Sequence, residues 1–238
     1  YIANAFQLKP GDHYHYRLSL GDRTDEKKYF KDDDSWSKAE SVLRNVLSSR
    51  KVPFVEAEGE AAFYGPKIDI QMKNVNGKED TAFTVQYDFV MPKRFQLVFT
   101  NEKGEEEQPI VIHRSSIGAI ERVMAFLIEH YAGAFPTWLA PVQMTLLPIA
   151  DRHHEFAEKI KKQLQNIGIR VENDTRSERL QAKIRDATLQ KVPFMGIIGD
   201  KEIADDAISV RKRNGEDLGS LKISSFLDQL LKDIDKKI

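Results

Sequence analysis

Two stretches in the first half of the chain carry the residue types that chemistry needs. In the first, AAFYGPKID (Ala61–Asp69), Gly65-Pro66 fixes a turn between two strands and so holds an aromatic hydroxyl, Tyr64, and an ammonium, Lys67, at a sheet edge. Thr84 and Gln86 stand two apart, hence on one strand face, and can set a hydroxyl and an amide beside Tyr64. In the second stretch, IVIHRSSIGAIERVMAFLIEHY (Ile110–Tyr131), a β-branched strand passes through a polar turn into a helix. The turn holds His113, Arg114, Ser115 and Ser116, and the helix sets Ile120, Met124, Leu127, Ile128 and Tyr131 on a buried face. The free amides at that helix start, with Arg114 and Arg122 nearby, suit an anionic ligand such as a nucleotide phosphate. A pocket of Tyr64, Lys67, Gln86, His113 and Arg122 would offer donors to phosphate and ring nitrogens, with no group arranged to form a covalent intermediate. The plainer reading of each stretch stays open: a turn with a surface lysine, and a solvated Glu–Arg pair on an amphipathic helix.

These residues need a sheet and a helix to hold them. HYHYRLSL (His13–Leu20) alternates as a strand, and the charged segment Asp22–Asp34 reads as an exposed loop. A helix follows, capped by Asp34 or Ser35, with a buried stripe of Ala39, Val42, Leu43, Val46 and Leu47. Phe54–Glu58 and Ala62–Tyr64 are short strands, and KIDIQMK (Lys67–Lys73) alternates strictly. Asn76-Gly77 turns that strand into Thr81–Phe89, an antiparallel hairpin. A further hairpin is expected between Phe95–Thr100 and Pro109–His113, which makes the first part an antiparallel sheet closed by one helix.

The character changes after Gly133, where FPTWLAP (Phe135–Pro141) places two prolines that break helix and ladder alike. The expected domains are therefore 1–140 and 141–238. Beyond the break the pattern is strand Val142–Ile149, helix His153–Ile167, strand Ile169–Glu172, helix Leu180–Gln190, strands Phe194–Gly199 and Ile208–Arg213, and helix Ser224–Ile234. Strands alternating with helices predict an α/β domain with a mixed, mainly parallel sheet.

The totals bound the function classes. With 238 residues, 41% hydrophobic and 31% charged, the chain can bury a real core, and its net charge of −1 announces no nucleic-acid partner, although a local basic face is compatible with it. The absence of cysteine removes disulfides, thiolate nucleophiles and the ligands structural zinc prefers. No apolar run approaches the ~18 residues of a membrane span and no signal peptide opens the chain, so a cytoplasmic location is expected. The opening YIANAF, without Met and in the middle of an apolar pattern, hints at preceding residues.

The segments GEAAFYGPKIDI, TVQYDF, IHRSSIGAIERVMAFLIEHYAGAFPTWLAPVQ and VPFMGIIGDKE, in that order, resemble the threonyl-tRNA synthetases, a family of class II aminoacyl-tRNA synthetases. The resemblance implies part of an α+β antiparallel catalytic core followed by an α/β anticodon-binding domain, with ATP and magnesium, threonine and threonine tRNA as substrates and partners. Arg122 matches the motif 3 arginine along ATP, Tyr64 a tyrosine contacting the amino acid, Lys67 an active-site lysine, and Gln86, near Thr84, a glutamine of the pocket floor. His113 matches one ligand of the zinc that selects threonine by its hydroxyl. The family's other two zinc ligands and motif 2 lie earlier in its sequences, so this chain is expected to look like the C-terminal portion of a synthetase and not to adenylate threonine alone. Ala119 replaces a small hydroxyl residue and Ser177 an asparagine of many relatives.

In the second domain, Glu202 and Arg211 match residues that contact anticodon bases, and Arg179 and Arg185, with Lys183 and Lys191, are candidates to follow the phosphate backbone. A solvated helix face is the plainer account of those cations, and the adjacent His153-His154 point apart too far to be a metal pair. The resemblance implies a homodimer for the intact enzyme through a segment outside this chain. The competing reading is a synthetase-like tRNA-binding or regulatory protein without catalysis.

Overall fold

The computed structural model describes residues 2–115 and 117–237, so Ser116 of the expected polar turn lies outside the described residues. The chain divides after Glu129 into two compact units.

The first unit contains α1 (Ile2–Ala5), β1 (Tyr14–Leu20), α2 (Asp33–Ser49), β2 (Phe54–Glu58), β3 (Lys67–Lys73), β4 (Glu79–Asp88), α3 (Met91–Arg94), β5 (Phe99–Thr100), β6 (Glu106–Glu107), β7 (Val111–Arg114) and α4 (Ile120–His130), whose last residue falls beyond the division. Five strands form one sheet in the order β2-β1-β3-β4-β7. Every pairing in it is antiparallel except β1 with β2, which α2 crosses over to join in parallel. Alternation gives the sheet two unlike faces. Tyr16, Leu18, Leu20, Ile68 and Tyr87 pack with Leu43 and Leu47 of α2. The other face is polar, and it carries the candidate site. Trp36, 1% exposed, seats the start of α2: its ring meets Tyr29 and Phe89 edge-on at 5.4 and 5.3 Å, and its indole N–H donates to Phe30 O at 2.8 Å.

Several expectations need correction. The cap of α2 is Asp32, whose carboxylate accepts the Ser35 N–H at 3.1 Å, while Val42 and Val46 of the expected stripe are exposed. Ala62–Tyr64 forms an isolated bridge and a turn in place of a strand. The second hairpin is shorter and differently partnered. Residues 91–94 coil into α3, Gln96 adopts a left-handed φ of 51° that ends an extended run, and β5 pairs with β6. β7 is then free to satisfy the edge of β4, from Val85↔Arg114 to Asp88↔Val111. On α4 the buried residues are Val123 and Leu127, whereas Ile120, Met124 and Ile128 are exposed, so the helix is turned about one position from the predicted face.

The second unit holds β8 (Met144–Pro148), α5 (His154–Asn166), β9 (Val171–Asn173), α6 (Leu180–Leu189), β10 (Phe194–Ile198), α7 (Asp200–Ala204), β11 (Ala207–Lys212), β12 (Asp217–Lys222) and α8 (Ile223–Asp235). The sheet order is β12-β11-β10-β8-β9. β9-β8-β10 are parallel and β10-β11-β12 antiparallel, so the sheet is mixed in equal parts, not mainly parallel. The short α7 and the edge strand β12 went unpredicted. DLGSLK reads as loop because Gly219 interrupts a run whose two apolar residues, Leu218 and Leu221, do not alternate, although both pack against the core. Met144, Leu146, Phe194, Ile198 and Val210 bury one face under Ile160 and Leu164 of α5 and Phe226 and Leu230 of α8. Leu147 and Met195 bury the other face with Ala187 of α6.

Gly118 shows how tightly the turn before α4 is specified. Its φ is +72°, and a Cβ there would lie 2.2 Å from the carbonyl oxygen of Ala82 on β4. Gly118→Ala combines left-handed strain with a backbone clash, and the expected loss is about 2–4 kcal/mol. Urea unfolding followed by Trp fluorescence measures it; a loss under about 0.5 kcal/mol would show that the turn relaxes freely.

Candidate functional site

The polar face of the first sheet is built from two transverse rows. Register places Ser19 of β1 opposite Lys67 of β3, Lys67 opposite Gln86 of β4, and Gln86 opposite His113 of β7. The neighbouring row runs from Arg17 through Asp69 to Thr84. Directly opposed side chains share a face, so strand alternation alone brings seven polar residues from four strands together.

Asp69 is the centre of this face and is fully buried. Its Oδ2 accepts from Ser19 Oγ at 2.8 Å, Lys67 Nζ at 2.8 Å and the Arg17 guanidinium at 3.0 Å, while Oδ1 accepts from the Thr84 hydroxyl. Burial alone would raise the pKa of Asp69, but the hydrogen bonds from Lys67, Thr84 and Ser19 and the Lys67 charge outweigh it and hold the carboxyl below its ordinary value. Tyr64, fixed by the following Gly65, donates its hydroxyl to Gln86 Oε1 at 2.6 Å. Gly65 is required there because a Cβ would overlap the Tyr87 carbonyl oxygen at 1.8 Å. Burial, then the Asp88 charge, raise the Tyr64 pKa against the Gln86 hydrogen bond, so the phenol stays a donor at neutral pH.

Thr84, Gln86, His113, Arg114, Ser115, Ala119 and Arg122 line a cleft of about 400 Å³ between this face and the start of α4. Tyr64 borders the cleft through Gln86, and Lys67 stands one strand further, turned to Asp69. Arg122 is exposed and donates to the Thr81 carbonyl, while the Ser115 hydroxyl accepts the Gly118 N–H at 2.8 Å and shapes the turn. A larger cleft of about 640 Å³ opens on the apolar face beside Tyr16, Ile70, Met72 and Phe83. The smaller one is the better chemical site because its polar groups converge.

Sequence reasoning passed over Asp69 and Asp88, the two carboxylates that organise the face. Each stands two residues from a residue that it did single out, Lys67 and Gln86, and same-face spacing was the signal available.

The second unit distributes its candidates. Arg211 lies opposite Met195, on the face that α6 covers, and is half-buried. Glu202 sits in α7 beyond the C-terminal end of β10, where its carboxylate accepts the Gly199 N–H at 3.0 Å. Arg179 precedes α6 and Arg185 lies on its exposed side. One expectation fails. Lys183 is 2% exposed, its ammonium donating to the Pro148 and Asp174 carbonyls at 3.0 Å each, and so cannot follow a phosphate backbone. Lys191 donates to the Ala132 carbonyl.

Residues 23–131 match the family model of the tRNA synthetase class II core domain (G, H, P, S and T), and residues 140–233 match that of the anticodon binding domain. The chain is 47% identical over 222 residues to a threonine–tRNA ligase of Clostridium botulinum, covering 93% of this chain and 34% of the relative. It is 46% identical over 220 residues to that of a Geobacillus species, covering 92% and 34%. The chain thus spans about a third of the length of these curated relatives. The crystal structure of the RNA binding domain of threonyl-tRNA synthetase from Cryptosporidium parvum superposes with a TM-score of 0.84 at 28% identity, covering 97% of this chain and 56% of the other. A synthetase core followed by an anticodon-binding fold, both within one continuous match to threonine–tRNA ligases, is the organisation of that enzyme, and the chain belongs to the threonyl-tRNA synthetase family.

Proposed function

We propose that this chain supplies part of the threonine and ATP pocket, and the tRNA-reading domain, of a threonine–tRNA ligase. The intact enzyme activates threonine with ATP and magnesium and transfers it to threonine tRNA. The observation that carries this reading is the convergence of Thr84, Gln86, His113 and Arg122 on one cleft in a chain that continues into an anticodon-binding fold. In this reading Arg122 leaves the Thr81 carbonyl to stabilise charge on the triphosphate as the carboxylate of threonine attacks the α-phosphorus. Tyr64 and Gln86, already hydrogen-bonded to each other, hold the amino acid, and Lys67, neutralised by Asp69, adds a fixed ammonium at the pocket's edge. Glu202 and Arg211 read anticodon bases, with Arg179 and Arg185 on the phosphates. A cytoplasmic, homodimeric parent is part of the same proposal.

The family's zinc does not fit the residues of this chain by themselves. Among the described residues no group of three or more His, Asp or Glu could hold a metal, the sequence has no cysteine, and His113 alone replaces few of the ion's waters. Magnesium fares likewise, since Asp69 and Asp88, the carboxylates of the polar face, are already taken by donors. The chain alone is therefore expected not to adenylate threonine, and threonine-dependent exchange of pyrophosphate into ATP by the purified chain would contradict this.

Binding of a threonine tRNA anticodon stem-loop tests the second half of the reading. Arg211→Ala should weaken it by ~1–3 kcal/mol and relax discrimination at one base. Equal losses on unrelated stem-loops would reduce Arg211 to a phosphate contact. Asp69→Asn tests the sheet. It strands Lys67 and Arg17 beside a neutral amide, with an expected cost of about 3–5 kcal/mol at pH 7. Because the folded carboxyl is shifted down, its contribution is complete above the unfolded value of about 3.9 and fades as pH falls through the lower folded value. Urea unfolding between about pH 2 and 7 should show the gap between wild type and variant closing only on that acid limb, whereas a constant gap would mean a packing effect.

A further inference from the structure

His153 is 1% exposed, in the 3-10 turn of residues 151–153 that leads from β8 into α5. Its Nδ1 accepts the Ala150 N–H at 3.2 Å, which leaves the ring proton on Nε2, and Nε2 lies 3.0 Å from Oδ1 of Asp200 at the start of α7. The Arg152 guanidinium meets both oxygens of the same carboxylate, at 2.9 and 2.6 Å. An exposed ion pair contributes little by itself, but a buried N–H that needs an acceptor fixes where Asp200 stands. The loop after β8 is thereby joined to the turn after β10, beside the Ile149 N–H that donates to the Ile198 carbonyl at 3.0 Å.

That turn carries Glu202, half-buried, whose Oε2 accepts the Gly199 N–H at 3.0 Å; among the described residues its other oxygen accepts nothing. The packing is close, since a Cβ on Gly199 would lie 3.0 Å from Cδ1 of Ile149 and 3.2 Å from Oε2 of Glu202. Gly199 and Asp200 are adjacent, so what holds Asp200 also holds the donor that orients the Glu202 carboxylate. We propose that Asp200 is the positioning residue of the anticodon edge: held by His153 and Arg152, it fixes the turn into α7 and aims the free oxygen of Glu202 at an exocyclic amine of a base. A carboxylate fixed in place accepts from an amine and repels a carbonyl at the same position, whereas one that swings away from the carbonyl discriminates less. This inference rests on the proposed base-reading role of Glu202.

The test has two arms, both on the full chain. The first needs no RNA and follows amide hydrogen exchange at Gly199. Exchange in Asp200→Ala should be at least about tenfold faster than in the wild type, and Asp200→Asn, which keeps an oxygen for His153, should stay near the wild type. Equal rates in wild type and Asp200→Ala overturn the proposal, and so does a wild-type amide that exchanges like an exposed one, which needs no variant to fold. The second arm compares binding of a threonine tRNA anticodon stem-loop with that of stem-loops in which one anticodon base is replaced. Glu202→Ala should cut the preference at one base about tenfold, Asp200→Ala should cut it at that same base, and the double variant should lose no more than Glu202→Ala alone. A brace that only supports the fold would weaken all stem-loops alike and add to the Glu202 loss, and that result overturns the proposal. An unchanged preference in Asp200→Ala defeats the proposal alone; an unchanged preference in Glu202→Ala defeats the base-reading role and the proposal with it.

Discussion

A carboxylate with no exposure to water is tolerable only when its charge is met by donors, and Asp69 is met by four, drawn from three adjacent strands. The arrangement constrains register as strongly as any apolar contact, because a slip of one residue on β1 or β4 would carry Arg17, Ser19 or Thr84 to the opposite, apolar face and leave the charge stranded. The polar face thus exists because its centre cannot be taken apart piecemeal. The side chains that reach the cleft, Thr84 and Gln86, inherit their positions from strands already locked by that centre.

The second unit solves a different problem with a related device. Loops follow its parallel strands, and loops are free to move unless something ties them. Lys183 does so from α6, joining the carbonyl that ends β8 to the carbonyl that follows β9. Arg176 bridges Asp174 and Asp186, and Arg152 pairs with Asp200, whose carboxyl the Arg152 hydrogen bonds, followed by that of His153, hold well below the ordinary range. In both units a cation that sequence reading would assign to a ligand is engaged within the fold, Lys67 by the Asp69 carboxylate and Lys183 by two backbone carbonyls.

Legibility follows the same line. The hairpin from β3 to β4 could be read because Asn76-Gly77 and strict alternation act locally, and the α/β order of the second half because apolar runs and helical stripes are local as well. What escaped depended on partners distant in sequence. β7 joined β4 in place of β5, α4 left Ile120, Met124 and Ile128 of its expected stripe exposed, and Lys183 proved buried, each decided by tertiary packing that no window contains. The cleft residues named from sequence do share one region, yet Asp69 and Asp88 were not named as its organisers, because same-face spacing marks the place of an acidic residue in a strand and not how many donors will meet it.

The charge left over decides what the cleft can attract. On the sheet side Lys67 and Arg17 stand against Asp69 and Asp88, two cations against two carboxylates, so the strands present a pattern of hydrogen-bonding groups with little net charge. On the helix side Arg114 and Arg122 line the cleft and, among the described residues, neither forms an ion pair; Arg122 meets a neutral carbonyl that can be exchanged at small cost. An anionic group is therefore drawn to the α4 end, where the field is uncompensated, while the strands discriminate among neutral and zwitterionic groups by shape and hydrogen bonding. A molecule with a phosphate at one end and a small polar group at the other would meet both requirements.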